Sequence, residues 1–264
     1  MNFFSKNFII LLILFFVSSE EVFCKGIKSI SNDTVTFLKI DNVNKQYIDS
    51  LEKYPLLKEL YIYDVKHIPS NIKHLKNLRV LYIVSKKIIF NKNFLFPENL
   101  EELVAVFNKP IKILPEFMGN KIKIISLVIK NESVFNVNSI KLSNLETLNL
   151  YIKNNTGIIP NYVYSLTQLK HLIINGNNMM ILSDELLMMK RLILLKIKCD
   201  LKENDDILSK LTTLQTLGIY TITEDDISLI RNYINIEFLL LRDMKKELKF
   251  EVSKKYPTLK IGQW

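Results

Sequence analysis

The residue types that usually perform chemistry are few in this sequence and lie far apart. None of its three histidines, His67, His74 and His171, is near a serine, cysteine or aspartate pattern that would indicate a nucleophile and its base. Cys199 follows a strand-like stretch, which favours a small core residue over a reactive thiol. No glycine-rich phosphate loop occurs. We therefore predict a chain that is not an enzyme and that uses no cofactor.

Two clusters of carboxylates are the remaining candidates for chemistry. They lie in "ENDD" at 203–206 and in "TEDD" at 223–226, each just before an apolar helical stretch. Acidic residues at the start of a helix complement its dipole. Neither cluster has the spacing of an EF-hand or of a nonapeptide calcium repeat. We expect two helix starts here and no metal site.

Composition and charge argue against a nucleic-acid partner. The chain of 264 residues is 48% hydrophobic, as is usual for a folded globular protein. Lysine and arginine number 36 against 27 acidic residues, which gives a net charge of +9. Only 4 of these basic residues are arginines, and arginine is the residue that binds phosphate with two parallel hydrogen bonds. An AT-rich genome would produce this lysine-rich bias without selection for a partner. We expect no binding to nucleic acid.

The N-terminus is organised as a signal peptide. Lys6 precedes an apolar stretch at 8–17, and polar residues follow. Ten helical residues span about 15 Å, half of a bilayer core, so this stretch is too short for a membrane anchor, and no later segment is apolar enough to span. Cleavage could follow Ser19 or Cys24, and Cys24 could instead become a lipidated N-terminus, which its acidic neighbours disfavour. We predict a signal peptide at 1–24 and a secreted or cell-envelope protein.

A repeat of about 22 residues extends over the rest of the chain. In "LTQLKHLIINGNN" at 166–178, Leu169, Leu172 and Ile174 are the apolar residues at positions 1, 4 and 6 of one unit. The spacing of two indicates a short strand, and position 1 lies in the loop before it. The same pattern begins at residues 35, 57, 78, 100, 122, 145, 169, 192, 214 and 236, and a truncated copy begins at 259. A period this constant indicates stacked structural units.

This pattern resembles the leucine-rich repeat family, whose unit is LxxLxLxxN followed by a variable return segment. We assign residues 25–264 to one leucine-rich-repeat domain. The resemblance implies an α/β fold: a right-handed solenoid, curved like a horseshoe, with a parallel β-sheet on its concave face. Positions 4 and 6 would point inward, so that stacked units share one core. Leu148, Leu172 and Leu195 should then lie above one another on neighbouring strands.

The chain departs from the family at position 9, where an asparagine usually hydrogen-bonds the loop backbone. Only Asn108 and Asn177 match, and Asp200 could substitute. Most of that polar ladder is thus missing, and we expect irregular loops. The return segments are also mixed, because "DELLMMKRL" and "NDDILSKL" predict short helices that begin with an aspartate cap.

The side chains that point away from the core form the candidate binding surface. Positions 2, 3, 5 and 7 should face outward and line up between repeats. Tyrosine and valine are frequent at positions 5 and 7 of the N-terminal half, and lysine and arginine in the C-terminal half. Such residues are typical of binding surfaces, although strand propensity also favours tyrosine and valine. The predicted ligand-binding residues are Tyr61, Tyr63, Tyr82, Val84, Val104, Val106, Tyr151, Lys196, Lys198, Tyr220 and Arg242.

The family resemblance implies that this face binds a protein or peptide. The tyrosines would supply apolar anchors, and Lys196, Lys198 and Arg242 would add charge attraction. An alternative ligand is an anionic polysaccharide or another cell-envelope component, bound through the basic residues. Binding that weakens steeply with salt would favour that alternative.

Overall fold

The computed structural model describes residues 34–41, 50–65, 67–85, 90, 94–107, 116–117, 119–129, 142–220, 222–242 and 245–263. The predicted signal peptide at 1–24, with Cys24, lies outside these residues, and so does the predicted ladder residue Asn108. No helix within these ranges is both long and apolar enough to cross a membrane.

Short parallel strands recur along the chain. They are β1 (Phe37–Ile40), β2 (Glu59–Tyr63), β3 (Val80–Ser85), β4 (Leu95–Phe96), β5 (Glu102–Phe107), β6 (Glu116–Phe117), β7 (Ile124–Ile129), β8 (Thr147–Ile152), β9 (His171–Gly176), β10 (Leu194–Ile197), β11 (Thr216–Ile219), β12 (Phe238–Leu241) and β13 (Lys260–Gln263). Among the described residues, eleven strands form one sheet in the order β1-β2-β3-β5-β7-β8-β9-β10-β11-β12-β13. The two-residue strands β4 and β6 pair with each other, apart from that sheet.

The strands of the large sheet bury two rows of aliphatic side chains in a shared core. Leu148, Leu172 and Leu195 pair directly across β8, β9 and β10, and all three are fully buried. At position 6, Leu150 pairs with Ile174, and both are fully buried as well. Side chains at a period of two thus stack from repeat to repeat. This confirms the predicted α/β leucine-rich-repeat solenoid built on a long parallel sheet.

The last repeat departs from the predicted spacing by one residue. The Leu259 N–H donates to the Tyr256 carbonyl oxygen at 3.1 Å, which is the turn that precedes the earlier strands too. In β13, however, Ile261 pairs with the buried Leu239, where the predicted start at 259 would place Gly262. The prediction is therefore wrong by one residue for this strand. Isoleucine has an apolar side chain to offer the core and glycine has none, which explains the shift.

Helices occupy several of the return segments. They are α1 (Asn161–Tyr164), α2 (Leu201–Lys210), α3 (Glu224–Ile227) and α4 (Lys246–Lys255), with 3₁₀ helices at Ser70–His74, Asp184–Met188 and Leu229–Asn232. The expected helix start at 223–226 is present. Thr223 caps α3, and it exchanges hydrogen bonds with Asp226 in a capping box. This arrangement satisfies backbone N–H groups that the first turn would leave unpaired.

The predicted aspartate caps at 184 and at 205–206 are wrong, although both segments are helical. α2 begins after Asp200, whose carboxylate accepts a hydrogen bond from the Glu203 N–H at 3.0 Å. The carboxylates at 203–206 therefore lie within α2 instead of preceding it. The helix begins earlier than predicted because Leu201 is apolar and packs into the core. The segment Asp184–Met188 is a 3₁₀ helix without a side-chain cap.

Asparagines join neighbouring repeats at the residue just before position 1. Each side-chain amide donates to the carbonyl oxygen two residues before position 1 of the preceding repeat. The donor and acceptor pairs are Asn77 and Pro55, Asn99 and Lys76, Asn144 and Asn120, and Asn235 and Thr212. We call these four pairs the asparagine ladder. They hold the turns that enter β3, β5, β8 and β12, at the opposite end from position 9.

Position 9 seldom supplies the asparagine that usually hydrogen-bonds the loop backbone. Asn177 Nδ2 donates to the Lys153 carbonyl oxygen at 2.8 Å, as predicted. Asp200 caps α2 and does not replace the missing asparagine. Val65 and Ile222 occupy the same position in other repeats, and both are buried. Apolar residues here enlarge the core, and the asparagine ladder connects the loops instead.

Candidate ligand-binding face

The register of the large sheet arranges the outward side chains in rows. Residues at the same position of neighbouring repeats lie opposite each other, as Tyr61 does with Tyr82 and Val84 with Val106. We call the surface formed by positions 3, 5 and 7 the concave face. Position 5 holds Lys39, Tyr61, Tyr82, Val104, Ser126, Asn149, Ile173, Lys196, Gly218 and Leu240, and position 7 holds Asp41, Tyr63, Val84, Val106, Val128, Tyr151, Asn175, Lys198, Tyr220 and Arg242.

Four aromatic rings meet at the N-terminal end of the concave face. The Phe37 and Tyr61 ring centroids are 5.1 Å apart, and Tyr61 stacks on Tyr82 at 5.2 Å. The Tyr63 ring tilts against Tyr82 at 5.8 Å. Stacked and tilted rings at these distances attract each other beyond the effect of area burial. We call these four residues the tyrosine cluster; three of them are predicted site residues, and the structure brings them together.

The members of the tyrosine cluster differ in exposure. Tyr82 is 7% exposed and supports the others, whereas Phe37 is 53% exposed. Tyr61 and Tyr63 are half-buried and present part of each ring to solvent. Burial raises the pKa of all three tyrosines, and the Glu59 carboxylate raises that of Tyr61 further. The hydroxyls are therefore neutral at physiological pH, and the cluster is an uncharged, partly apolar surface.

The middle of the concave face offers little accessible surface. The predicted site residues Val104 and Val106 are each 7% exposed. Ser126 and Asn175 are buried as well, and the Ser126 Oγ and the Asn175 Oδ1 have no hydrogen-bond partner among the residues that the structure describes. The predicted site residues of this region that remain partly exposed are Val84 and Tyr151. The middle therefore separates two more accessible regions.

A cluster of cations lies at the C-terminal end of the face. The Lys198 Nζ lies 5.0 Å from the Tyr220 ring centroid, and the Arg242 Cζ lies 4.7 Å from the same centroid. Lys198 also donates to the Asn177 carbonyl oxygen at 2.5 Å, and Arg242 donates to the Tyr220 hydroxyl. We call Lys196, Lys198 and Arg242 the cation cluster. Four of the predicted site residues thus lie on β10, β11 and β12 or just after them.

Lys196 is the buried member of the cation cluster. It is 4% exposed, because its stem lies over Gly218 of the next strand. A Cβ atom at Gly218 would be 2.5 Å from the Lys196 Cγ, so only glycine leaves room for this conformation. Burial lowers the pKa of Lys196 from 10.5 to about 8. The ammonium group is therefore poorly hydrated, and water screens its charge only weakly.

The cations along the rim of the sheet have a different environment. At position 2, the Glu101 carboxylate pairs with Arg79 and with Lys123, the latter at 3.3 Å. Lys170 pairs with Glu146 in the same row at 3.1 Å. These carboxylates neutralise the rim lysines and the arginine. The cation cluster differs because an aromatic ring, not a carboxylate, lies between Lys198 and Arg242.

The histidines and Cys199 occupy separate places. The His171 Nδ1 is 3.0 Å from the Thr147 Oγ1, and burial lowers the pKa of the imidazole. His67 and His74 are exposed elsewhere. Cys199 is buried, and burial raises the pKa of its thiol to about 12, which suits a core residue. Within the described ranges, no three His, Cys, Asp or Glu residues group closely enough to hold a metal ion.

The sequence interpretation missed residues at positions 3 and 5. Phe37 extends the tyrosine cluster, and the Lys39 Nζ lies 4.9 Å from the Tyr63 ring centroid. At the other end, the Lys260 Nζ lies 4.7 Å from the Phe238 ring centroid. Both phenylalanines occupy position 3, which the predicted site left out. Aromatic residues at that position were the signal that could have identified them.

Comparison with known proteins adds likenesses among solved structures. No family model matches the sequence, and no curated protein matches it. The chain is similar to an internalin from Listeria monocytogenes at 14% identity and a TM-score of 0.43, over 81% of this chain and 76% of that one. A leucine-rich-repeat protein from Leptospira interrogans matches at 19% identity and a TM-score of 0.32, over 80% and 73%. Human 5T4 matches at 13% identity and a TM-score of 0.41, over 78% of each chain. The fold itself is defined by the strand register of this chain.

Proposed function

We propose that this leucine-rich-repeat chain is an exported, non-catalytic protein that binds a protein or peptide ligand on its concave face. The observation that carries the proposal is the tyrosine cluster. Its rings form a continuous, partly exposed aromatic surface on rigid strands. Tyrosines bury a large area on binding and lose few rotamers, and they are enriched where binding energy is concentrated.

The packing within the cluster prepares it for binding. Tyr82 holds Tyr61 and Tyr63 from below, so these two rings keep their orientation before a ligand arrives. A preorganised surface avoids the entropy cost of ordering side chains on association. The neutral hydroxyls can still donate hydrogen bonds to backbone carbonyl groups of a bound chain. These properties fit a polypeptide ligand with apolar side chains.

Export is part of the proposal and rests on the sequence at 1–24. A ten-residue apolar stretch preceded by a lysine favours a cleaved signal peptide, which would place the mature protein in the cell envelope or the medium. Mass spectrometry of the mature N-terminus should find cleavage after Ser19 or Cys24. A diacylglyceryl group on Cys24 would show the lipidated alternative, and an intact N-terminus would contradict export by this route.

The binding proposal is tested with Tyr61→Ser/Tyr63→Ser. These two rings are half-buried, so the fold should survive, whereas Tyr82 is buried and is left in place. The purified domain is used to capture partners from an extract of its native environment, and the affinity for each partner is then measured by surface plasmon resonance. Loss of two anchor rings should weaken binding by about 30-fold or more, as expected when about 2 kcal/mol is removed.

The matched control is Ile234→Ser/Phe250→Ser. Both residues are large, exposed and apolar, and neither lies on the concave face. A partner that depends on the tyrosine cluster binds this variant and the unchanged chain equally well. If every partner is lost to the same degree from both double variants, the captured proteins bind exposed apolar surface in general, and the proposed site is wrong.

A second candidate ligand is an anionic polysaccharide, which the cation cluster favours. Lys198 and Arg242 contact the same Tyr220 ring, and Lys196 lies on β10, the strand that ends just before Lys198. Polyanion binding of this kind releases or displaces counterions and is therefore screened by salt. An affinity that falls steeply between 50 mM and 500 mM NaCl would support this candidate. An affinity that is unchanged over this range would exclude it and leave the tyrosine cluster as the main contact.

A further inference from the structure

The cation cluster has the composition of a site for an anion. Lys198 uses one of its three N–H donors on the Asn177 carbonyl oxygen, and Arg242 uses its guanidinium on the Tyr220 hydroxyl. The Tyr220 ring contacts both cations and fixes their positions. A cation–π contact stabilises a cation without neutralising its charge. The two side chains thus present positive charge and unused donors in a defined geometry.

The environment of these cations distinguishes them from the other basic residues of the sheet. Along the rim, Glu101 and Glu146 pair with the neighbouring cations. In the part of the chain that the structure describes, neither Lys198 nor Arg242 forms an ion pair with a carboxylate. A strand surface that keeps cations side by side without a counter-charge gains most when a ligand supplies the anion.

Lys196 strengthens the site from below. Its stem crosses Gly218 toward the strand that precedes Tyr220, and its ammonium is shielded from water. Charges interact more strongly where less water screens them. Lys196 therefore contributes to the positive potential on this side of Tyr220, and a bound anion would lower the cost of keeping its charge buried.

Carboxylates lie beside the cluster on the Arg242 side. Glu224, Asp225, Glu247 and Glu251 line a cleft of about 1110 Å³ together with Arg242, near the start of α3 and the end of β13. None of these four carboxylates forms an ion pair with Arg242. Their negative charge disfavours an anion in the cleft itself. An anion would therefore lie on the concave side, at the exposed edge of the Tyr220 ring that separates the two cations.

We infer that Lys196, Lys198, Tyr220 and Arg242 form a subsite for one compact anionic group, a carboxylate or a phosphate, on the ligand of the concave face. The inference rests on the proposed function, because it assigns a charged group to that same ligand. The cluster spans β10 to β12, about 10 Å across two strand spacings. A cluster restricted to three neighbouring strands favours one anionic group, because a long polyanion would need cations along many strands.

The inference also sets the distance between two contacts of the ligand. Six strand spacings separate β3, which holds Tyr82, from β11, which precedes Tyr220. At about 4.8 Å each, they amount to about 29 Å along the sheet. An extended chain covers that distance with about nine residues. A peptide that reaches both regions would therefore carry its acidic residue about nine residues from its apolar anchor.

The test uses small probes, inorganic phosphate and N-acetyl-glutamate amide, so that no protein ligand is needed. Binding is followed by NMR of tyrosine ring resonances, with the Tyr220 signals assigned from Tyr220→Phe. Both probes should shift the Tyr220 signals in a saturable way. Lys198→Met/Arg242→Met should weaken this binding at least tenfold. The control Lys202→Met/Lys254→Met removes the same charge from exposed helix positions and should leave the affinity unchanged.

The outcomes separate the inference from the proposed function. Saturation by only one probe identifies the group, carboxylate or phosphate, and supports the subsite. Equal weakening in the two double variants, or no shift of the Tyr220 signals with either probe, overturns it. Tyr61→Ser/Tyr63→Ser should bind the probes normally, because these residues lie at the other end of the face. The experiments can therefore reject the anion subsite while supporting partner binding by the tyrosine cluster. They can also support the subsite while rejecting partner binding.

Discussion

The two accessible ends of the concave face carry different kinds of side chain at the same repeat positions, and these side chains make different kinds of contact. In the tyrosine cluster, rings pack on rings, and the contacts between neighbouring repeats are apolar. In the cation cluster, a single ring separates two charges. The first arrangement favours affinity through burial, and the second favours selectivity and attraction over distance. The comparison shows that the same repeat position can supply either apolar burial or charge attraction to a ligand.

The fold explains why this freedom exists. Positions 4 and 6 carry the shared core, so that a change there disturbs two neighbouring repeats at once. Positions 5 and 7 instead contact outward positions on adjacent strands, as the Tyr63 ring at position 7 does with Tyr82 at position 5. Each pair of outward residues can therefore change with little effect on the core. The difference between the two ends reflects local pairing on the face and not a difference in architecture.

The largest expected effect tests whether the two ends contribute unequally to stability. Tyr82→Ala should destabilise the fold by about 2–4 kcal/mol, because Tyr82 is nearly buried and contacts two other rings. Tyr220→Ala should cost less than about 1 kcal/mol, since Tyr220 is partly exposed. Urea unfolding followed by circular dichroism measures both. Equal losses would break the distinction between a packed end and a charged end.

The next effect concerns the buried charge of Lys196. Its folded-state pKa of about 8 lies below the ordinary 10.5, so the charged ammonium destabilises the fold below pH 8. This penalty declines as the pH rises from 8 to 10.5. Lys196→Met should therefore be more stable than the unchanged chain at pH 7, by roughly 1–3 kcal/mol, and the gap should close by pH 10.5. Unfolding at a series of pH values measures the gap, and a constant gap would show that Lys196 is not desolvated.

A smaller effect follows from the space that Gly218 leaves. Gly218→Ala places a Cβ against the base of the Lys196 stem, so this side chain must move toward solvent. The pKa of Lys196 should then rise toward its ordinary value, which NMR titration of the lysine side chains detects. Gly262→Ala is the control on β13, because its Cβ would meet only the end of the flexible Leu240 side chain. If both variants shift the lysine alike, the glycine at 218 has no special role.

The smallest effect compares the cation cluster with the paired rim cations. Glu101→Gln removes the partner of Arg79 and Lys123, all three of which are solvent-accessible. Exposed ion pairs contribute little, so the loss of stability should stay below about 1 kcal/mol and shrink further at 0.5 M NaCl. Thermal unfolding at low and high salt checks this. A loss of several kcal/mol would mean that rim pairing, and not the core, holds neighbouring repeats together.

Much of the fold could be predicted from the sequence because its signal is repeated. Leu172 alone is compatible with a helix, but ten copies of the same spacing leave a strand with an inward leucine as the consistent interpretation. The rows at positions 5 and 7 follow directly from that register. The juxtaposition of Tyr61, Tyr63 and Tyr82 could thus be predicted without coordinates, and so could that of Lys198, Tyr220 and Arg242.

The rest depends on side-chain volume, which periodicity does not encode. Val104 and Val106 occupy outward positions, yet each is only 7% exposed, beside Tyr82 and Val84 on the adjoining strand. Lys196 is buried because a glycine happens to lie beside it on β11. Leu259 begins its turn as predicted, but the strand then shifts to bring Ile261 into the core. In each case a contact between repeats overrides the pattern within one repeat.

The asparagine ladder limits how the chain can change in length. Each ladder residue lies directly before position 1, so the distance from the ladder to the strand is constant wherever the ladder is present. The predicted starts nevertheless differ by 21 to 24 residues, and that variation falls in the return segments. Insertions on the return side only lengthen a loop, whereas one extra residue after Asn99 would turn every side chain of β5 to the opposite face. The ladder therefore separates a segment that tolerates insertions from one that does not.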